Sequence, residues 1–174
     1  MRLDGLRLAV EIKPVNLAVG RAIWNRFGDI RTFAVNLHLK FPFAVVGGVL
    51  AIPTWEAAKT RGAATVRKPT IHLIQRAVSR LVRAGGRKTE GDAAHLLEGI
   101  AVVVYDPDTA RLHSTLPAPG SGLRWDECIE MLATAYESRF ETEEEIAAQA
   151  EADELEDSDD EEDTREPSQG TLEF

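Results

Sequence analysis

The chain has 174 residues, 44% of them apolar, enough for one buried core and too few for a multidomain assembly. Its net charge of −9 conceals a division, because residues 1–140 hold nineteen basic and thirteen acidic side chains while 141–174 hold one arginine and sixteen acids. A body at +6 carrying a tail at −15 excludes a uniformly acidic protein and directs the body toward a polyanion such as nucleic acid.

At the N-terminus, Leu6, Leu8, Val10 and Ile12 alternate with Arg7, Ala9, Glu11 and Lys13, the period of a strand with one face on a core. Asp4-Gly5 before it suits a turn from a short preceding strand, and Pro14 ends the run. Val19, Ile23, Phe27, Ile30, Ala34 and Leu37 recur at three-to-four spacing, which predicts an amphipathic helix over 18–37. Pro42 and Pro53 bracket FAVVGGVLAI, a continuous apolar run that reads as a central strand buried on both faces. Gly47-Gly48 within it implies close approach of a helix or ligand.

Thr54 then suits the cap of a short helix over 55–60, followed by a loop through TRGAATVRKPT. Thr70 opens a second helix with Ile71, Ile74, Val78, Leu81 and Val82 as its apolar stripe, stopped by Gly85-Gly86. A brief helix is predicted around 90–97, and a strand at 99–106 leads through Pro107-Asp108 toward ARLHST as a hairpin. Asp126 is placed to cap a third helix with Ile129, Leu132, Tyr136 and Phe140 on one face. From about residue 147 onward, like charge and scarce apolar residues predict a disordered acidic tail.

The lone Cys128 excludes an internal disulfide and a zinc cluster. The polar N-terminus excludes a signal peptide, and no run approaches the length of a membrane span. A soluble cytoplasmic protein with no membrane partner is expected. The histidines show no ligand spacing, the three tryptophans read as packing residues, and no phosphate-cradling glycine loop occurs.

Chemistry concentrates at the first strand. Side chains two apart share a face, so Glu11 and Lys13 project together while Ile12 points into the core. With Asp4 beside them, two carboxylates and an ammonium suit a divalent ion and a phosphodiester. Hard oxygens hold Mg²⁺, here with the main-chain carbonyl of Ile12 as a third donor, and the lysine orients or deprotonates the attacking water. Taken alone, E-x-K on a strand is more often a solvated ion pair.

These residues resemble the PD-(D/E)XK nuclease superfamily, whose best-known members are restriction endonucleases. The likeness rests on Asp4, on E-I-K at 11–13 and on the helix and buried strand that follow. It covers roughly residues 3–52. In some restriction enzymes a polar pair similar to Asn25-Arg26 recurs in the helix after E-x-K. The resemblance implies a mixed central sheet flanked by helices, with Asp4 and Glu11 as metal ligands and Lys13 as the catalytic lysine. The family core begins with a helix before its first strand and has Pro-Asp where this chain has Leu3-Asp4. That departure implies an N-terminally truncated member or one of impaired catalysis.

Arg76, Arg80, Arg83 and Arg87 fall at i, i+4, i+7 and i+11, a single stripe with no acid between Arg67 and Lys88. Together with Arg21, Asn25 and Arg26 they are candidate nucleic-acid contacts, and phosphate contacts of this kind position without reading bases. The acidic tail offers an internal competitor for the same surface. At the terminus, Gln169, Leu172 and Phe174 resemble a shortened sliding-clamp-binding box.

The sequence therefore predicts an α/β restriction endonuclease-like domain over 1–146 and a disordered tail over 147–174. The expected function is Mg²⁺-dependent cleavage of DNA, in a cytoplasmic, nucleoid-associated setting. A catalytically impaired nucleic-acid-binding or regulatory module with the same fold is the alternative. The resemblance also admits a homodimer, although no heptad or apolar stripe marks its interface.

Overall fold

A computed structural model describes residues 5–58 and 65–140. The chain divides into two compact units, Met1–Tyr136 and Glu137–Phe174, and the elements that follow are those of the first. They form a mixed α/β fold: β1 (Leu8–Pro14), α1 (Val19–Lys40), β2 (Val45–Pro53), β3 (Trp55–Ala58), β4 (Val66–Pro69), α2 (Ile71–Leu81) and β5 (Gly99–Tyr105). A third helix, α3, begins at residue 125.

The main sheet has the order β1-β2-β5 and is parallel throughout. β2 lies at the centre and is buried along nearly its whole length, as its unbroken apolar sequence requires for a strand covered on both faces. Its two glycines set the spacing of the layers. A Cβ on Gly48 would lie 2.5 Å from Ile30 of α1, and one on Gly47 would lie 2.9 Å from Leu132 of α3. Successive residues of a strand face opposite ways, so α1 covers one face and α3 the other. Burial of a side chain such as Ile30, fully enclosed, contributes about 2 kcal/mol.

Gly99 of β5 repeats this close approach, its Cβ position lying 2.9 Å from Leu132 and 3.1 Å from Cys128 Sγ. Burial pushes the Cys128 thiol up to about 11, so it serves as a small apolar residue. Cys128 thus takes the inward position expected of Ile129, which is 45% exposed.

Three local expectations change. Residues 55–58 form strand rather than helix and pair antiparallel with β4, with Glu56 opposite Lys68. Thr70 fixes the root of this ribbon: its N–H donates to the Thr54 carbonyl at 3.0 Å and its hydroxyl to the carbonyl of Pro53. Residues 90–97 form turns, with Asp92 accepting the N–H groups of Lys88 and Thr89 at 2.8 and 2.9 Å. After β5 the expected hairpin narrows to one antiparallel bridge, Tyr105 to Leu112. The predicted strand before Gly5, the tail and the terminal Gln169, Leu172 and Phe174 lie outside the described residues.

Candidate functional site

β1 is an edge strand, and its backbone is divided between two sides. Arg7 accepts from Val45 N–H and Val15 donates to Ala51, both at 2.8 Å. Because a parallel ladder alternates, residues 9, 11 and 13 direct their N–H and C=O groups to β2. Leu8, Val10 and Ile12 direct theirs outward, where no strand among the described residues pairs with them.

Side chains follow the same alternation. Glu11 stands opposite Gly48 in register and therefore on the α1 face of the sheet. Lys13 shares that face, and its Nζ lies 2.5 Å from Glu11 Oε1, both side chains about three-quarters buried. Sequence reasoning placed these two together, and the structure does so. It reverses the expectation for Ile12, whose side chain is 61% exposed on the opposite face. The physical reason is that the core lies over β2 and β5. An edge strand with apolar residues on one face and a helix over the other leaves its outermost apolar side chains uncovered. The Ile12 carbonyl is directed to the open edge. Asp4 lies outside the described residues, so its place relative to Glu11 is not part of the described geometry.

Glu11 is the middle residue of β1 and Lys13 the penultimate one, so the pair occupies the second half of the strand, toward the carboxyl end of the parallel sheet, where open α/β sheets bind their ligands. A second carboxylate works at this end. α1 starts after Ala18, whose backbone is left-handed at φ 51° and whose side chain offers no cap. Glu56 Oε2 of β3 instead accepts the Val19 N–H at 2.8 Å, supplying an anionic partner to the positive helix end. A strand residue capping a helix 37 positions earlier leaves no local signal in sequence.

For a hard divalent cation, the described residues offer one carboxylate oxygen set on Glu11 and a main-chain oxygen on Ile12. They contain no group of three or more His, Cys, Asp and Glu that could hold a metal. Mg²⁺ takes hard oxygen ligands of this kind and keeps several of its waters.

The basic stripe survives in part. Arg76, Arg80 and Arg83 are exposed, as are Arg21, Asn25 and Arg26 on α1. Arg26 pairs with Asp29 at 3.0 Å. The Arg80 guanidinium lies 5.2 Å from the centroid of Trp24, so the outer surfaces of α1 and α2 join through a cation–π contact. Arg87 departs from the stripe. Helix α2 gives way at residue 82 to a 3-10 turn over Val82–Ala84, and beyond Gly85-Gly86 the Arg87 side chain turns inward and is buried. Its Nη1 donates to Glu98 Oε1 at 2.9 Å and its Nη2 to the Pro42 carbonyl at 3.1 Å. Glu98 Oε2 in turn accepts the Val46 N–H at 2.8 Å, and His38 Nε2 lies 3.3 Å away. Arg87 is thus a structural residue at the start of β2 and β5, and it is withdrawn from the nucleic-acid contacts.

No helix among the described residues is long and apolar enough to cross a membrane. No family model matches the chain, no curated protein matches its sequence, and no solved structure matches its fold.

Proposed function

We propose that the protein is a metal-dependent DNA endonuclease of the restriction type with a PD-(D/E)XK-like core. One observation carries the reading. Glu11 and Lys13 stand side by side on one face of an edge strand, in its second half, and the chain then runs through a helix into a parallel central strand. In this reading Glu11 and Asp4 hold Mg²⁺ with the Ile12 carbonyl. The ion would neutralise charge developing on the phosphate and lower the pKa of a bound water. Lys13 orients that water. Arg21, Arg76, Arg80 and Arg83, exposed on the outer surfaces of α1 and α2, supply phosphate contacts.

A second reading draws on the same ion pair. At 2.5 Å the Lys13 ammonium already compensates the Glu11 carboxylate, which suits a noncatalytic nucleic-acid-binding module as well as a poised enzyme. Cleavage separates the two. Full-length protein is incubated with mixed plasmid and genomic DNA in Mg²⁺ or in EDTA, beside Lys13→Ala and Glu11→Gln. The nuclease reading expects discrete Mg²⁺-dependent fragments, with each substitution lowering the rate by at least about 100-fold while salt-sensitive binding persists. No cleavage by the wild-type protein, with that binding intact, establishes the binding module instead.

A further inference from the structure

Gly28 lies inside α1, where glycine weakens a helix relative to alanine. Packing accounts for the glycines of the sheet, because added Cβ atoms at Gly47, Gly48 and Gly99 would come within 2.9, 2.5 and 2.9 Å of neighbouring side chains. It does not account for Gly28, where an added Cβ meets nothing within 4 Å. The glycine keeps a patch of helix surface low on its solvent side. It forms a shallow depression with Trp24, Asn25, Arg26, Asp29 and Thr32.

Trp24 stands one turn before Gly28 on the same stripe of the helix. Its ring is approached by Arg80 at 5.2 Å, yet the residue remains 37% exposed. The surroundings are cationic. α1 and α2 carry Arg21, Arg26, Arg31, Lys40, Arg76 and Arg80 against a single acid, Asp29, and that acid is held by Arg26.

We propose that this face binds an unpaired nucleotide of a single-stranded nucleic acid. A base stacks on the open part of Trp24 over the floor that Gly28 leaves clear. The Asn25 amide, with two donors and an acceptor, serves its edge, while Arg21, Arg76 and Arg80 meet flanking phosphates. A duplex keeps its bases stacked inside and offers none to an exposed indole, so the indole selects single strands where the arginines alone would not. The inference rests on the nucleic-acid part of the proposed function and is independent of cleavage.

The test is binding in EDTA, where metal-dependent cleavage is silent. A fluorescent 20-nucleotide oligo-dT and a 20-base-pair duplex are titrated against full-length wild type, Trp24→Leu, Trp24→Phe and Gly28→Ala. Stacking of one base predicts that Trp24→Leu weakens oligo-dT binding about 5- to 100-fold and duplex binding less than about 2-fold, with Trp24→Phe restoring most of the loss. Gly28→Ala is expected to raise the Tm by about 2–4 °C and at the same time to weaken oligo-dT binding at least about 3-fold. Equal losses for both DNAs in Trp24→Leu, or full oligo-dT affinity in Gly28→Ala, would overturn the proposal. So would a surface that binds neither DNA, which would leave the depression to a protein helix. A wild type that discriminates in this way yet never cleaves would overturn the nuclease reading alone.

Discussion

Arg87 and Glu98 form a buried ion pair, Nη1 to Oε1 at 2.9 Å, with side chains 1% and 0% exposed. Eleven residues separate them, and the carboxylate is also the acceptor for Val46 N–H, so one salt bridge fixes the start of the central strand. Removing one member of such a pair strands the other charge in the interior. Arg87→Ala should lower unfolding free energy by about 3–5 kcal/mol. Arg83→Ala, four residues away but exposed, should stay within about 0.5 kcal/mol of wild type and instead reduce the salt slope of DNA binding by about one. Urea denaturation and a salt titration check the two arms, and equal stability of the two variants would contradict the assignment of Arg87 to the interior.

Much of the main sheet and its helices was legible because the signals were local. An apolar run between Pro42 and Pro53 has few alternatives to a buried strand, and Gly47-Gly48 announced the contacts now made by Leu132 and Ile30. The failures share a cause. Trp-Glu-Ala-Ala at 55–58 has helical propensity, but its strand state is decided by Thr70 and by β4, whose residues lie eight to fourteen positions from their partners. Alternation in β1 identifies two faces without saying which one meets α1. The spacing that puts Arg87 on a helical stripe runs across Gly85-Gly86, which end the helical geometry it requires. For the candidate site, pairing of Glu11 with Lys13 followed from period two alone, whereas the Glu56 cap on α1 had no sequence signature.

Glu127 should make the start of α3 sensitive to acid. Partial burial pulls its carboxyl upward, but the backbone N–H groups of Arg124, Gly120, Gly122 and Leu123 outweigh that and hold it below the usual range. A depressed folded value means that the stabilisation is present above the unfolded pKa and is lost as pH falls through the folded one. The stability difference between wild type and Glu127→Gln should therefore be full near neutrality and shrink below about pH 4. Urea midpoints measured from about pH 7 to about pH 3 would show it, and a gap that stays constant would rule out this role.

Gly48→Ala should destabilise the fold by about 1–3 kcal/mol, the range for forcing one extra methyl into a packed interior. The obstructing atom is Ile30 Cγ2 at 2.5 Å from the new methyl. Pairing the substitution with Ile30→Ala supplies the missing space, so the double variant should be more stable than the two single losses added together, with a coupling of about 0.5–3 kcal/mol. Additive losses in thermal or chemical denaturation would mean that α1 does not pack against Gly48 as described.

The one-sided pairing of β1 also gives that strand two lifetimes. The amides of Ala9, Glu11 and Lys13 are tied to β2 and open only when the sheet opens, whereas those of Leu8, Val10 and Ile12 face the side on which no strand among the described residues pairs, and need no such event. Alternate residues along seven positions therefore belong to different regimes of hydrogen exchange. Glu11 and Lys13 stand on the slow set, so the backbone that carries the carboxylate and the ammonium stays fixed as long as the sheet is closed.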